Sequence, residues 1–171
     1  MALKIKQSIQ GSFEIACQNG QIEKVVDMLE GGEIDVDGVN KYGSSPLILA
    51  SLKGNTEIVN ILLEHFADIN MLGPKNWTPL HCATFFGHVE TVTVLLNHGA
   101  KVDIANCKGN IPGECFDKSV PVEKCMKIQD IIKSHECCNM NSSVYEVETQ
   151  EDEVEVKSIP CAGLCLCQEV F

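Results

Sequence analysis

Asn76-Trp77-Thr78-Pro79-Leu80-His81-Cys82-Ala83-Thr84-Phe85-Phe86-Gly87-His88 has an earlier counterpart in Gly43-Ser44-Ser45-Pro46-Leu47, continued by Ala50 and Gly54. Pro46, Pro79 and Pro112 stand two equal steps of 33 residues apart. The text downstream keeps the same step. Glu57-Ile58-Val59 with Leu62-Leu63 returns as Glu90-Thr91-Val92 with Leu95-Leu96, and Ala67-Asp68-Ile69-Asn70 returns as Ala100-Lys101-Val102-Asp103. A fixed offset held by so many landmarks is the mark of stacked repeats.

Each landmark has a physical task. Pro46 and Pro79 suit the first position of a helix, where the missing N–H is no loss and the ring pre-sets φ. Ser45 and Thr78 just before them carry hydroxyls able to cap that helix. Ala50 and Ala83 are small enough to let neighbouring helices approach. Gly54 and Gly87 fall where a left-handed residue turns the chain. A second helix then buries Ile58, Val59, Leu62 and Leu63 in one repeat and Val89, Val92, Leu95 and Leu96 in the next, at amphipathic spacing. Ile69 and Val102 each begin an extended finger towards the following repeat.

The segment Trp77–His88 resembles the core signature of ankyrin repeats, whose period is also 33 residues. The resemblance implies an all-α ankyrin-repeat solenoid of helix-turn-helix units with short β-hairpin-like fingers. It also implies that Thr78 and His81 tie the helix start to the finger, a tie that Ser45 and Ile48 keep only in part. The outer repeats are degenerate. Ser12–Gly20 reads as a first helix without proline, and Ile22, Val25, Val26 and Leu29 mark its partner. At the other end Gly113 follows Pro112 in place of the buried leucine, and Val120-Pro121 precedes a last helix carrying Met126, Ile128, Ile131 and Ile132. The expected repeats are 8–40, 41–73, 74–106 and 107–136, followed by an acidic, cysteine-ended tail, 137–171, expected to be disordered for lack of apolar residues to bury.

Charge excludes some functions. The chain carries −11, of which residues 139–171 contribute −6 (seven acids against Lys157), and its basic residues are all lysine. Without arginine's bidentate fork, nucleic-acid binding is not expected. No run of eighteen apolar residues exists, so no spanning helix is expected. The N-terminal residues lack an apolar signal core, so a cytoplasmic or nuclear location with reduced thiols is expected. Of the ten cysteines, Cys17, Cys82 and Cys115 fall within helical patterns.

No catalytic constellation, phosphate loop or cofactor motif emerges; His65, His81, His88 and His98 all sit at repeat landmarks. Cys161-x3-Cys165-x-Cys167 has soft ligands but not the spacing of a zinc knuckle, so no metal is expected. The same three cysteines could instead be acylated, making the protein a membrane-associated scaffold. Family resemblance puts the contact face on finger tips and the exposed side of the first helices. The residues there are Lys41, Tyr42, Ser44, Leu52 and Lys53, then Lys75, Trp77, Phe85 and Phe86, then Lys108 and Asn110. Aromatic anchors of this kind mark protein-binding hot spots. The expected function is therefore non-catalytic binding of a protein partner by a monomer, as adaptor, scaffold or inhibitor. An inhibitor of signalling resembling the IκB-type ankyrin proteins is one form of it.

Overall fold

A computed structural model describes residues 2–140, with side chains from residue 7 to residue 135. Among the described residues there are seven α-helices and no strand: α1 (Ala2–Asn19), α2 (Ile22–Glu30), α3 (Pro46–Lys53), α4 (Thr56–Glu64), α5 (Pro79–Phe85), α6 (Val89–Asn97) and α7 (Val122–Met140). The first helices α1, α3 and α5 pack in one row, and α2, α4, α6 and α7 in a second. This is the ankyrin-repeat stack that the period predicts.

Local chemistry sets the helix ends. Pro46 and Pro79 open α3 and α5, and the hydroxyls of Ser45 and Thr78 accept N–H bonds from Ile48 and His81. Thr78 and His81 form a reciprocal capping box, which satisfies two otherwise orphaned donors. Gly54 and Gly87 follow with φ of 74° and 72°, the left-handed region where a Cβ is strained. Neither α4 nor α6 has a side-chain cap, because the residue in that position is committed elsewhere. Asn55 Nδ2 donates to the carbonyls of Cys17 and Gln18 at 2.8 and 3.1 Å. His88 Nε2 donates to Leu52 O at 3.1 Å. Each residue hooks the C-terminal carbonyls of the preceding first helix, which lack partners inside that helix.

The core runs between the two rows. Phe13, Leu47, Leu80, Ile58, Leu62, Val92, Leu95 and Ile128 are fully or almost fully buried, and Ala50 and Ala83 have no exposed surface. The units are also pinned along the finger bases. Asp37 Oδ1 accepts from Asp68 N, and Asn70 Oδ1 from Lys101 N, each at 2.9 Å.

Four details differ from the sequence reading. Helix α1 begins at Ala2, well before Ser12, because residues 3–10 are mostly Leu, Lys, Ile and Gln with no breaker among them. The fourth repeat has no first helix: Gly113, with φ of 88°, breaks from helical geometry right after Pro112, and a Cβ there would stand 2.7 Å from Ile132 Cδ1. Cys115 accordingly lies between helices. In its helix Met126 faces outward, 59% exposed, whereas Ile128 and Ile132 are buried. The expected boundary at residue 136 falls inside α7, which runs on to Met140; the remainder of the 137–171 segment lies outside the described residues.

Candidate interaction surface

Three fingers stand between the helical pairs, their ends joined by backbone bonds from Asn40 N to Ser44 O at 3.0 Å, Gly73 N to Trp77 O at 2.8 Å and Asn106 N to Asn110 O at 2.9 Å. In the outer two, an asparagine side chain braces the turn. Asn40 Oδ1 accepts from Tyr42 N and Ser44 N, and Asn106 Oδ1 accepts from Lys108 N and Asn110 N. The middle finger has Gly73 at that position. It turns through Pro74 with both Lys75 and Asn76 at φ 59°, a conformation uncommon for residues with a Cβ.

The tips expose Lys41, Lys75 and Lys108. Tyr42 is 70% exposed, with Lys41 Nζ 4.9 Å from its ring centroid. Ser44 is half-buried and its backbone is used by the turn. Half-buried Asn110 gives its carbonyl to His81 Nε2 at 3.0 Å. Along the first helices, Leu52 is half-buried and Lys53 exposed; one repeat on, Phe85 is half-buried and Phe86 is exposed.

Aromatic rings form one run across the third repeat. Trp77 meets Phe85 edge-on with centroids 5.1 Å apart, Phe85 meets Phe86 likewise at 5.1 Å, and Phe86 stacks with His88 at 6.3 Å. Trp77 also lies 5.9 Å from the His81 ring. Trp77, Phe85 and Phe86 are thus brought together. Lys41 and Tyr42 belong to a different part of the face. They line a cleft of about 700 Å³ with Gln7, Gln10, Glu14 and Ile15 of α1, and with Val39 and Leu49. Sequence reasoning omitted these α1 residues, although Gln7, Gln10, Gly11, Glu14, Ile15 and Gln18, all lining the cleft, follow the spacing of one helix face.

The titratable groups inside the stack are structural. His81 is 1% exposed. Its Nδ1 receives the Thr78 N–H at 3.2 Å, which leaves Nε2 protonated to bond Asn110 O. Burial holds its pKa below the usual histidine value, opposed by that carbonyl bond. Burial pushes the Cys82 thiol up to about 12. Cys17 also rises to about 12, through burial first and the Glu14 charge second. Burial thus disfavours the reactive thiolate form at both positions. Among the described residues no group of three or more His, Cys, Asp or Glu side chains is arranged to hold a metal, and no helix is long and apolar enough to cross a membrane. Cys161, Cys165 and Cys167 lie outside the described residues.

Comparison with known proteins agrees with this architecture. The family model for ankyrin repeats (3 copies) matches residues 13–106. The chain is 37% identical over 60 residues to the E3 ubiquitin-protein ligase KEG of Arabidopsis thaliana, covering 35% of the chain and 4% of that protein. It is 35% identical over 63 residues to the palmitoyltransferase akr1 of Schizosaccharomyces pombe, covering 37% of the chain and 10% of the relative. A putative ankyrin repeat protein of Rickettsia bellii is 30% identical over 77 residues, 42% of the chain and 46% of its own length. The chain therefore spans less than half the length of each of these relatives.

Proposed function

The chain belongs to the ankyrin-repeat family, and from that premise we propose that it binds a protein partner across the concave face, without catalysis, as an adaptor, scaffold or inhibitor. The observation that carries this reading is the aromatic run Trp77–Phe85–Phe86, partly open to solvent, on a stack whose finger tips expose Lys41, Lys75 and Lys108. A rigid aromatic cluster contributes contact area at low entropic cost, and a polar rim around it is how protein interfaces are built. Lys41, Tyr42, Ser44, Leu52, Lys53, Lys75, Trp77, Phe85, Phe86, Lys108 and Asn110 make up the proposed face, with the α1 side of the cleft extending it. We take the protein to act as a monomer in the cytoplasm or nucleus, where thiols such as those of Cys17, Cys82, Cys107, Cys115 and Cys125 stay reduced.

The test is affinity capture with Trp77→Ala/Phe85→Ala beside the wild type. Capture of the dominant partner should fall at least tenfold, since hot-spot truncations cost about 2 kcal/mol or more, while circular dichroism stays native. Full capture by a natively folded double variant would move the binding face elsewhere.

A further inference from the structure

The finger tips carry charge opposite to that of the chain, with Glu14 lining the cleft beside Lys41. In a protein of net −11, the three finger tips each carry an exposed lysine, Lys41, Lys75 and Lys108, and Lys53 is exposed at the end of α3. Two of the tips are joined directly, by Cys107 N to Lys75 O at 3.0 Å. Packed helices sit about 8–10 Å apart, so two repeat steps carry the lysine row over roughly 20 Å. This is a track for an extended anionic chain, with Trp77 beside it.

The same sequence contains a segment of matching chemistry. Val144-Tyr145-Glu146-Val147-Glu148-Thr149-Gln150-Glu151-Asp152-Glu153-Val154-Glu155-Val156 holds six acids and no base. Acids alternate with valine at 146–148 and 153–156, and with period 2 an extended backbone would turn Glu151, Glu153 and Glu155 to one side and Glu146, Glu148 and Asp152 to the other. We propose that this acidic segment of the chain itself occupies the lysine track, covering Trp77 and competing with outside partners. The docking presupposes the binding role given above to the same face.

Three residues separate the segment from the end of α7. Helices α2, α4 and α6 each hand the chain to a finger at their C-terminal ends, and His135 lines a cleft with Leu96, Asn97, Gly99 and Val102. The later part of α7 thus lies beside the end of α6, and α7 too delivers the chain on the finger side. Thirteen extended residues cover about 45 Å, twice the length of the lysine row. Tethering supplies an effective concentration in the millimolar range, so weak contacts screened by salt are enough.

The only tryptophan of the chain, Trp77, makes the full-length protein its own reporter. Compare the wild type with a variant carrying Glu146→Gln, Glu148→Gln, Glu151→Gln, Asp152→Asn, Glu153→Gln and Glu155→Gln. Neutralisation should raise acrylamide quenching of Trp77 and shift the amide resonances of Lys41, Lys75, Trp77 and Lys108. NaCl at about 1 M, where the Debye length is about 3 Å, should do the same to the wild type. A synthetic 144–156 peptide added to the neutralised variant should reverse the changes, and should fail to do so when Lys75→Glu and Lys108→Glu are added. Identical quenching and unshifted amides in wild type and neutralised variant would overturn the docking. A difference that grows with protein concentration would also overturn it, by assigning the segment to a second copy. Partner capture separates the two ideas. If Trp77→Ala/Phe85→Ala abolishes capture while neutralising the acids changes nothing, only the docking fails. If the acids matter but those aromatics do not affect capture, the partner reading fails.

Discussion

Repeats two and three follow one plan, yet they join the next finger by opposite chemistry. In the third, buried His81 donates from Nε2 to Asn110 O at 3.0 Å, and Asn106 braces the finger from within. In the second, Ile48 takes the histidine's place, 3% exposed, and a Cβ on Gly73 would come within 2.6 Å of its Cδ1. The residue on the helix and the residue opening the finger therefore change together. His81 bonds the carbonyl that closes its finger, and Ile48 packs against the glycine that opens its own. One joint is a directed polar bond, the other a packed methyl. The lesson is that a repeat interface has a fixed geometry but not a fixed chemistry, provided that both partners change.

The comparison breaks most visibly at the apolar joint. Ile48→Ala should cost about 2–5 kcal/mol, the range for emptying a well-packed core site, read as a drop in the urea midpoint. Exchanging the chemistry on one side only should be milder but diagnostic. His81→Ile should destabilise the stack by removing the bond to Asn110 O, and Asn106→Gly should restore part of the loss by giving the new side chain the room that Gly73 gives Ile48. A coupling of about 1 kcal/mol in that double-mutant cycle is expected for residues in contact; strict additivity would show that the two positions are independent. The smallest effect is on pH. Burial lowers the pKa of His81 in the folded state, so the unfolded chain binds the proton more readily. The contribution of His81 is complete above the ordinary histidine value near 6.5 and is lost as pH falls below it. Wild-type stability should thus decline between pH 7.5 and 5.5, and His81→Gln should flatten that part of the curve. An unchanged slope in the variant would assign the titration to another group.

What could be read from the sequence follows from what repeats. The 33-residue step, the prolines opening α3 and α5, the Ser45 and Thr78 caps and the turns at Gly54 and Gly87 each recur, so each is visible as self-similarity. Features without a counterpart were hidden. The start of α1 carries no proline or cap to mark it, and its cleft-lining face was missed because the contact positions were counted only from the second repeat. The absent helix after Pro112 depended on Gly113 adopting φ of 88° against Ile132, a tertiary constraint that a family register does not express. The side chains of Asn55 and His88 stand where caps are expected, so their hooks onto the preceding helix had no separate signal. The aromatic cluster was legible as composition at known positions, but the edge-on contacts linking Trp77, Phe85 and Phe86 belong to the fold.

The paired joints also constrain how such a gene can lengthen. A tandem duplication adds a repeat by copying one 33-residue window, and the phase of the window decides what meets what. Copying 74–106 keeps His81 with Asn106 in both units and leaves Ile48 with Gly73. Copying 49–81 would set the first His81 against a second Gly73, a mismatched junction. Breakpoints that separate a helix from the finger residue it is matched to are therefore handicapped from the first generation, and those that keep the two together are not.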